Sequence, residues 1–276
     1  MVWSCLVSIL PGMAQTEKLT DYVNPFVGTD GYGNVYPGAQ IPFGGIQISP
    51  DTDSRFYDAA SGYKYNHLTL MGFSLTHLSG TGIPDLGDFL FIPGTGEMKL
   101  EPGTHEDPDQ GYRSRYSHDK EWASPNYYAV ELADYGVKAE MTSGVRSGMF
   151  RFTYPESDNA FIMIDMNHTL WQSCEWSNLR MINDSTITGY KLVKGWGPER
   201  HVYFTATFSK KLTGLRFVQD KKPVIYNTSR FRSSYEAWGK NLMACISFDT
   251  KAGEEVTVKT AISAVSTDGA RNCLLY

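Results

Sequence analysis

The chain has 276 residues, of which 41% are hydrophobic and 20% charged, so it carries enough apolar material for a sizeable core and is not intrinsically disordered. Lys and Arg number 25 against 30 Asp and Glu, and the net charge of −5 comes with no basic stripe for phosphates; we therefore expect no nucleic-acid partner. The 17 Tyr, 14 Phe, 26 Gly and 13 Pro favour strands joined by turns over long helices.

Residues 1–15 are interpreted as a remnant of a signal peptide. An apolar run over residues 2–10 precedes a small-residue segment ending at Ala14, as at a cleavage site, although the basic residues of such a leader are missing. The run is too short to cross a bilayer, so we expect no membrane span and a periplasmic or secreted protein. The four cysteines lie far apart in sequence, which indicates neither a zinc site nor a disulfide framework.

The first third of the chain predicts ordered loops. Residues 24–87 are crowded with Gly, Pro, Asn and aromatic residues and contain few runs long enough for strands. Loops of this length in a compact domain are uncommon unless they build a binding surface. We therefore place the function there, together with the turn at residues 194–200.

The remainder predicts an antiparallel, all-β structure, because short runs with apolar residues at alternate positions are separated by turns of hairpin length. One short helix is predicted at residues 233–242. The predicted strands are 45–49, 88–92, 126–132, 137–142, 148–154, 161–166, 186–192, 201–208, 215–219, 241–248 and 255–263.

Candidate chemistry is sparse outside the aromatic residues. Asp85 and Asp88 could suggest the carboxylate pair of a glycosidase, but neighbours on one loop rarely face each other across a sugar, so loop hydrogen bonding is preferred. The six histidines show no helical zinc spacing. Aromatic rings among Gly and polar residues fit carbohydrate recognition, in which rings stack on C–H faces while polar groups bind hydroxyls.

Several blocks, in order, resemble glycoside hydrolase family 92, the calcium-dependent exo-α-mannosidases found mostly in bacteria. They are YVNPFVGT at 22–29, YPGAQIPFG at 36–44, QISPD at 47–51, GFSLTHLSGTG at 72–82, and the shorter matches at 87–88, 175–176, 195–196 and 201–204. Residues 263–270 resemble the last strand of the same domain.

The resemblance implies that residues 16–276 form only the N-terminal domain, an antiparallel β-supersandwich similar to galactose mutarotase. The C-terminal catalytic domain of (α/α)6 type, with its Glu acid, Asp base and calcium, has no counterpart here, so the chain is expected to be a truncated enzyme fragment that lacks catalytic residues and binds no cofactor itself. The intact family enzymes invert the anomeric centre. We expect a role in N-glycan degradation, with a mannose-containing glycan and the missing helical domain as partners.

The resemblance assigns Phe26 and Trp196 to stacking or pocket walls, and His77 and Asp85 to polar substrate contacts. His77 and Ser79 could instead hold the turn at 80–82 in a purely structural role. Two other functions stay open: a stand-alone carbohydrate-binding module that uses the Phe26 and Trp196 loops, and an aldose epimerase, which needs an acid and base pair brought together by folding.

Overall fold

The alternating segments form two large antiparallel sheets in the computed structural model, which describes residues 17–54, 59–225 and 236–275. The interpreted leader at 1–15 lies outside this part. The strands are β1 Ser49–Asp51, β2 Thr69–Leu70, β3 Gly72–Ser74, β4 Leu90–Thr95, β5 Ser114–Arg115, β6 Glu121–Ser124, β7 Tyr127–Leu132, β8 Val137–Ser143, β9 Ser147–Tyr154, β10 Ser157–Asp165, β11 Ser173–Asn183, β12 Thr186–Lys194, β13 Arg200–Phe208, β14 Gly214–Gln219, β15 Lys222–Pro223, β16 Glu236–Gly239, β17 Leu242–Thr250 and β18 Glu254–Ser263.

The two sheets have seven and nine strands. The first has the order β1-β3-β4-β10-β17-β14-β15, and the second has the order β16-β11-β12-β13-β18-β9-β8-β7-β6. A small pair, β2 and β5, stands apart from both. In the described part of the chain there is one α-helix, α1 at Thr267–Cys273, which packs on β18 and β13. The predicted all-β sandwich is confirmed.

The main core lies between the two sheets. On β13, the alternate residues Val202, Phe204, Ala206 and Phe208 are buried, as the alternation predicts. Phe91 of the smaller sheet meets Phe150 of the larger one with ring centroids 4.9 Å apart. Burying such a ring stabilises the fold by roughly 1.5 to 3 kcal/mol, so these contacts fix how the sheets face each other.

A second apolar layer covers the outer face of the seven-stranded sheet. Met71, Leu90, Phe161 and Met243 are buried there, and the segment 98–112 lies over them through Met98, Leu100 and Tyr112. The smaller sheet is therefore covered on both faces.

The loop-rich first third is confirmed, since the strands among the described residues from 17 to 87 are the short β1 to β3, of two or three residues each. In the same region, the predicted strand at 45–49 is wrong except at its last residue. Ile48 makes only an isolated bridge to Ala39, and β1 begins at Ser49.

Two predictions near the C-terminus are wrong. The predicted helix at 233–242 is strand β16 over 236–239, because pairing with β11 overrides the local preference; residues 233–235 lie outside the described part. The expected last strand at 263–270 ends at Ser263, after which Ser266 caps helix α1 by accepting a hydrogen bond from the Gly269 N–H.

Three of the four cysteines fall within the described residues, and none of these three forms a disulfide: Cys174 and Cys245 are buried free thiols, and Cys273 is half-buried. Cys5 lies outside the described part. In the described ranges 17–54, 59–225 and 236–275, no helix has the length and hydropathy of a membrane span.

Candidate functional site

Asp85 and Trp196 lie next to each other at the end of the sandwich, although 111 positions separate them in sequence. The Asp85 Oδ2 atom accepts a hydrogen bond from the Trp196 backbone N–H at 3.4 Å, and its Oδ1 atom accepts one from the Leu86 N–H at 2.6 Å. Asp85 is 8% exposed whereas Trp196 is 57% exposed. The carboxylate thus ties two loops together and leaves the indole open to solvent.

A buried ion network lies beneath these loops. Asp88 is fully buried; it contacts the Lys191 ammonium at 3.1 Å, accepts a hydrogen bond from the Thr76 hydroxyl at 2.7 Å, and pairs with both terminal nitrogens of Arg200. Lys191 also donates to the His168 carbonyl at 2.7 Å. The Arg200 side chain is 27% exposed, so one cation of the network reaches the loop surface.

The network fixes the charge state of Asp88. Burial opposes ionisation, but the positive charges of Lys191 and Arg200 outweigh it and hold the pKa of Asp88 well below its usual range. The pKa of Arg200 is raised, since the charges of Asp88 and Asp85 outweigh its burial. An ionised, ion-paired Asp88 has no proton to give at neutral pH, which agrees with a structural rather than a catalytic role for it.

His77 lies below the loop surface, with 3% of its area exposed. Its Nε2 atom lies 2.7 Å from Oδ1 of Asp51, and its Nδ1 atom lies 2.8 Å from the Gln47 carbonyl oxygen. His168 contacts the other carboxylate oxygen of Asp51 at 2.8 Å. Burial opposes ionisation of Asp51, but His77 and His168 together hold its pKa well below normal. Both nitrogens of His77 are used inside the chain, which favours the structural alternative for this residue.

Phe26 lies in a different cluster. It is half-buried and meets Tyr65 edge-to-face at 5.7 Å, while Tyr65 stacks on His118 at 3.9 Å. His118 in turn contacts Glu121 at 2.6 Å. Of the four predicted site residues, the structure brings together only Asp85 and Trp196. His77 lies apart from them and contacts the Asp51 carboxylate, as His168 also does. Phe26 lies in a third place, against Tyr65.

Sequence reasoning did not single out Lys191, Asp51 or His168, and it included Arg200 only as the last residue of the turn at 194–200. A signal for Lys191 was present: it lies between Gly189 and Val193 on the inward-facing positions of β12, where a charged residue requires a buried partner. The partner could not be named from sequence, because Asp88 lies on a distant loop.

A metal site is not formed by these groups. Within residues 17–54, 59–225 and 236–275, no three His, Cys, Asp or Glu side chains are arranged to hold a metal ion. The carboxylates of Asp51 and Asp88 are saturated by histidine, lysine and arginine partners, so the donor set does not fit calcium, which takes six to eight oxygen ligands.

The exposed groups that remain suit recognition rather than proton transfer. The Trp196 indole offers a flat apolar face, and the guanidinium of Arg200 offers donors beside the Asp85 carboxylate. Such a combination binds a sugar by stacking on C–H groups and by hydrogen bonds to hydroxyls.

Comparison with known proteins places the chain in a family. The model of the glycosyl hydrolase family 92 N-terminal domain matches residues 22–263. The solved structure of the family GH92 α-mannosidase BT3965 from Bacteroides thetaiotaomicron is 99% identical, covers 94% of this chain and superposes with a TM-score of 0.92. A complex of that enzyme with mannoimidazole shows the same similarity.

More distant relatives agree. The family GH92 glycosyl hydrolase ccman5 is 26% identical over 92% of this chain, with a TM-score of 0.75. An uncharacterised secreted glycosidase of Arthroderma benhamiae is 30% identical over 139 residues, half of this chain. The chain spans 35% of the length of the BT3965 chain and 17% of the Arthroderma protein. From its match over residues 22–263, the chain belongs to the N-terminal domain family of glycoside hydrolase family 92.

Proposed function

We propose that this domain forms one wall of a mannoside-binding site in an inverting exo-α-mannosidase that acts on N-glycans. The observation that carries the proposal is the open Trp196 indole, whose backbone is held by Asp85, together with the partly exposed Arg200, whose position is fixed by the buried Asp88 network. A rigid polar and aromatic wall positions a substrate without transferring protons itself.

The domain alone is inactive in this proposal. Inverting hydrolysis needs two carboxyl groups roughly 6.5 to 9.5 Å apart, one of them protonated. In this site Asp88 is an ion-paired carboxylate, and Asp85 is committed to backbone N–H groups of Leu86 and Trp196. The acid, the base and the calcium therefore come from a C-terminal helical domain that docks against these loops.

Support for the substrate and compartment comes from the relatives. BT3965 is an α-mannosidase solved with mannoimidazole, and the Arthroderma relative is described as secreted. We accordingly propose a mannose-containing glycan as the ligand and the bacterial periplasm or exterior as the location.

A stand-alone carbohydrate-binding module is the alternative function. The exposed fraction of Trp196, 57%, favours it, because an accessible indole can bind a sugar weakly without a second domain. In that case the isolated chain binds mannosides as tightly as the complete assembly does.

Release of mannose from a high-mannose glycan, in the presence of calcium, tests the proposal. The chain is assayed alone and mixed with a separately expressed helical domain of the BT3965 relative. We expect activity only in the mixture. Activity of the chain alone would overturn the proposal, and equal glycan binding by the chain and the mixture, with no hydrolysis in either, would support the module.

A further inference from the structure

A cleft of about 910 Å³ lies on the side of the smaller sheet, between the covering segment 98–112 and the loop 167–174. Its volume falls in the range of small-molecule sites, roughly 300 to 1,000 Å³. Met71 and Met243 of the second apolar layer lie among its lining residues. The cleft therefore has an apolar base, and polar groups surround it.

Trp171 is an exposed aromatic side chain in the lining of this cleft. It is 60% exposed and has a φ of 76°, a left-handed conformation that is uncommon for a bulky residue. The turn that carries it is fixed, because the Thr169 hydroxyl donates to the Gln172 carbonyl at 2.7 Å and the Leu170 N–H donates to the Leu86 carbonyl at 2.9 Å. An exposed ring held in a strained backbone position is typical of a binding site.

The polar lining offers paired acceptors and donors. Asp165 accepts a hydrogen bond from the Asn167 N–H at 2.8 Å, and Asp220 accepts one from the Asn241 side-chain amide at 2.7 Å. Glu101 pairs with Lys221 at 2.8 Å, which neutralises that ammonium group. Carboxylates and amides of this kind bind sugar hydroxyls, which both donate and accept.

Charge and geometry together narrow the ligand class of the cleft. Among its described lining residues, three carboxylates face one lysine, so an anionic ligand is repelled. Taking the described part of the chain as a whole, no three His, Cys, Asp or Glu groups are arranged to hold a metal ion, so the cleft contains no preformed metal site of that kind.

We propose that this cleft is a second carbohydrate-binding site, which takes a neutral oligosaccharide by stacking on Trp171 and by hydrogen bonds to Asp165 and Asp220. It does not rest on the proposed function of the Trp196 site. The cleft adjoins that site, because its lining residue Gln172 donates a hydrogen bond to the Pro84 carbonyl at 3.1 Å. The domain could therefore hold a second arm of a branched glycan next to that site.

The test uses the whole chain labelled with ¹³C in its methionine methyl groups, because Met71 and Met243 report on the cleft. Their signals are assigned with Met71→Leu and Met243→Leu, substitutions of similar volume. An α-linked mannobiose is titrated into the wild type, Trp171→Ala, Trp171→Phe and Trp196→Ala. Trp122→Ala, on the distant edge strand β6, is the control for loss of an exposed indole.

We expect saturable shifts of both methyl signals in the wild type and in Trp196→Ala. Affinity should fall about five- to tenfold in Trp171→Ala, recover largely in Trp171→Phe and stay unchanged in Trp122→Ala. Absence of a shift in the wild type, or equal affinity in Trp171→Ala, overturns the proposal. So does a shift produced by calcium chloride without sugar.

Discussion

Arg200 forms a bidentate ion pair with Asp88, with 2.5 Å from Nη1 to Oδ2 and 3.1 Å from Nη2 to Oδ1. Lys191 contacts the same carboxylate from the sheet interior. A surface loop is thereby joined to the core of the sandwich by a two-pronged ion pair, and the stability of the fold and the shape of the site depend on the same carboxylate.

Removing that carboxylate charge should destabilise the domain. Asp88→Asn leaves Lys191 and Arg200 without their shared counterion, and breaking a buried ion pair costs about 3 to 5 kcal/mol. Urea unfolding followed by tryptophan fluorescence measures the change in the free energy of unfolding. Asp109→Asn removes an exposed partner of Arg115 and should leave the midpoint unchanged. Equal midpoints for the two variants would show that the Asp88 network does not support the fold.

Stability should fall in acid. The pKa values of Asp51 and Asp88 are depressed in the folded state, so their contribution is complete above the unfolded-state pKa of about 3.9 and is lost as the pH falls below it. We expect these two groups to add no pH dependence between pH 7 and 5, and to give a progressive loss of unfolding free energy from about pH 4 downward. Denaturant titrations at several pH values measure this.

The variant Asp51→Asn isolates one of the two groups. It cannot lose a carboxylate charge at position 51, so its unfolding free energy should fall less steeply below pH 4 than that of the wild type. An identical acid slope in both proteins would contradict the assigned pKa of Asp51.

Trp196 should matter for the substrate and not for the fold. Because its side chain is largely exposed, Trp196→Ala should leave the melting temperature unchanged. In the mixture with the helical domain, we expect kcat/KM for mannosides to fall about tenfold, which corresponds to a lost ring contact worth about 1.4 kcal/mol. Trp122→Ala is the matched control. If kcat/KM falls by a similar factor in that variant, Trp196 does not contact the substrate as proposed.

A side chain at position 87 should destabilise the fold, because the loop that carries Gly87 lies close to a neighbouring loop. Gly87 has a φ of +76°, and a Cβ there would lie 2.8 Å from the backbone nitrogen of Leu170. Gly80 has a similar φ of +73° with nothing within 4 Å of an added Cβ. Gly80→Ala therefore reports the conformational strain alone, about 1 kcal/mol.

Gly87→Ala should cost more than Gly80→Ala, because the neighbouring loop must also move. Thermal unfolding of the two variants gives the comparison. If Gly87→Ala melts at the same temperature as Gly80→Ala, the loops around Leu170 are not packed as described.

The fold was predictable where side-chain alternation marks one buried face, as on β13 and β18. Strand β11, Ser173–Asn183, was not predicted, because its sequence is largely polar and shows no clear alternation. Its inward-facing positions become evident only from its pairing with β12 and β16. Helix α1 is seven residues long, too short for a helical period to show in the sequence.

The sequence predicted which loops carry the candidate site, but not which residues of those loops contact each other. The turn at 194–200 was identified from its composition, but the contact between Asp85 and Trp196 joins segments that only the completed sandwich brings together. Similarly, the inward position of Lys191 follows from alternation, whereas its pairing with Asp88 depends on how the loop after β3 crosses the end of the sheet.

The edge strands of the two large sheets affect how readily the protein aggregates before it is fully folded. Strands β1 and β15 border the smaller sheet with three and two residues, and β16 and β6 border the larger one with four residues each. Exposed strand edges act as templates on which other chains add and begin to aggregate. Edges this short offer an incoming chain few backbone groups to pair with, which lowers the risk of aggregation during folding.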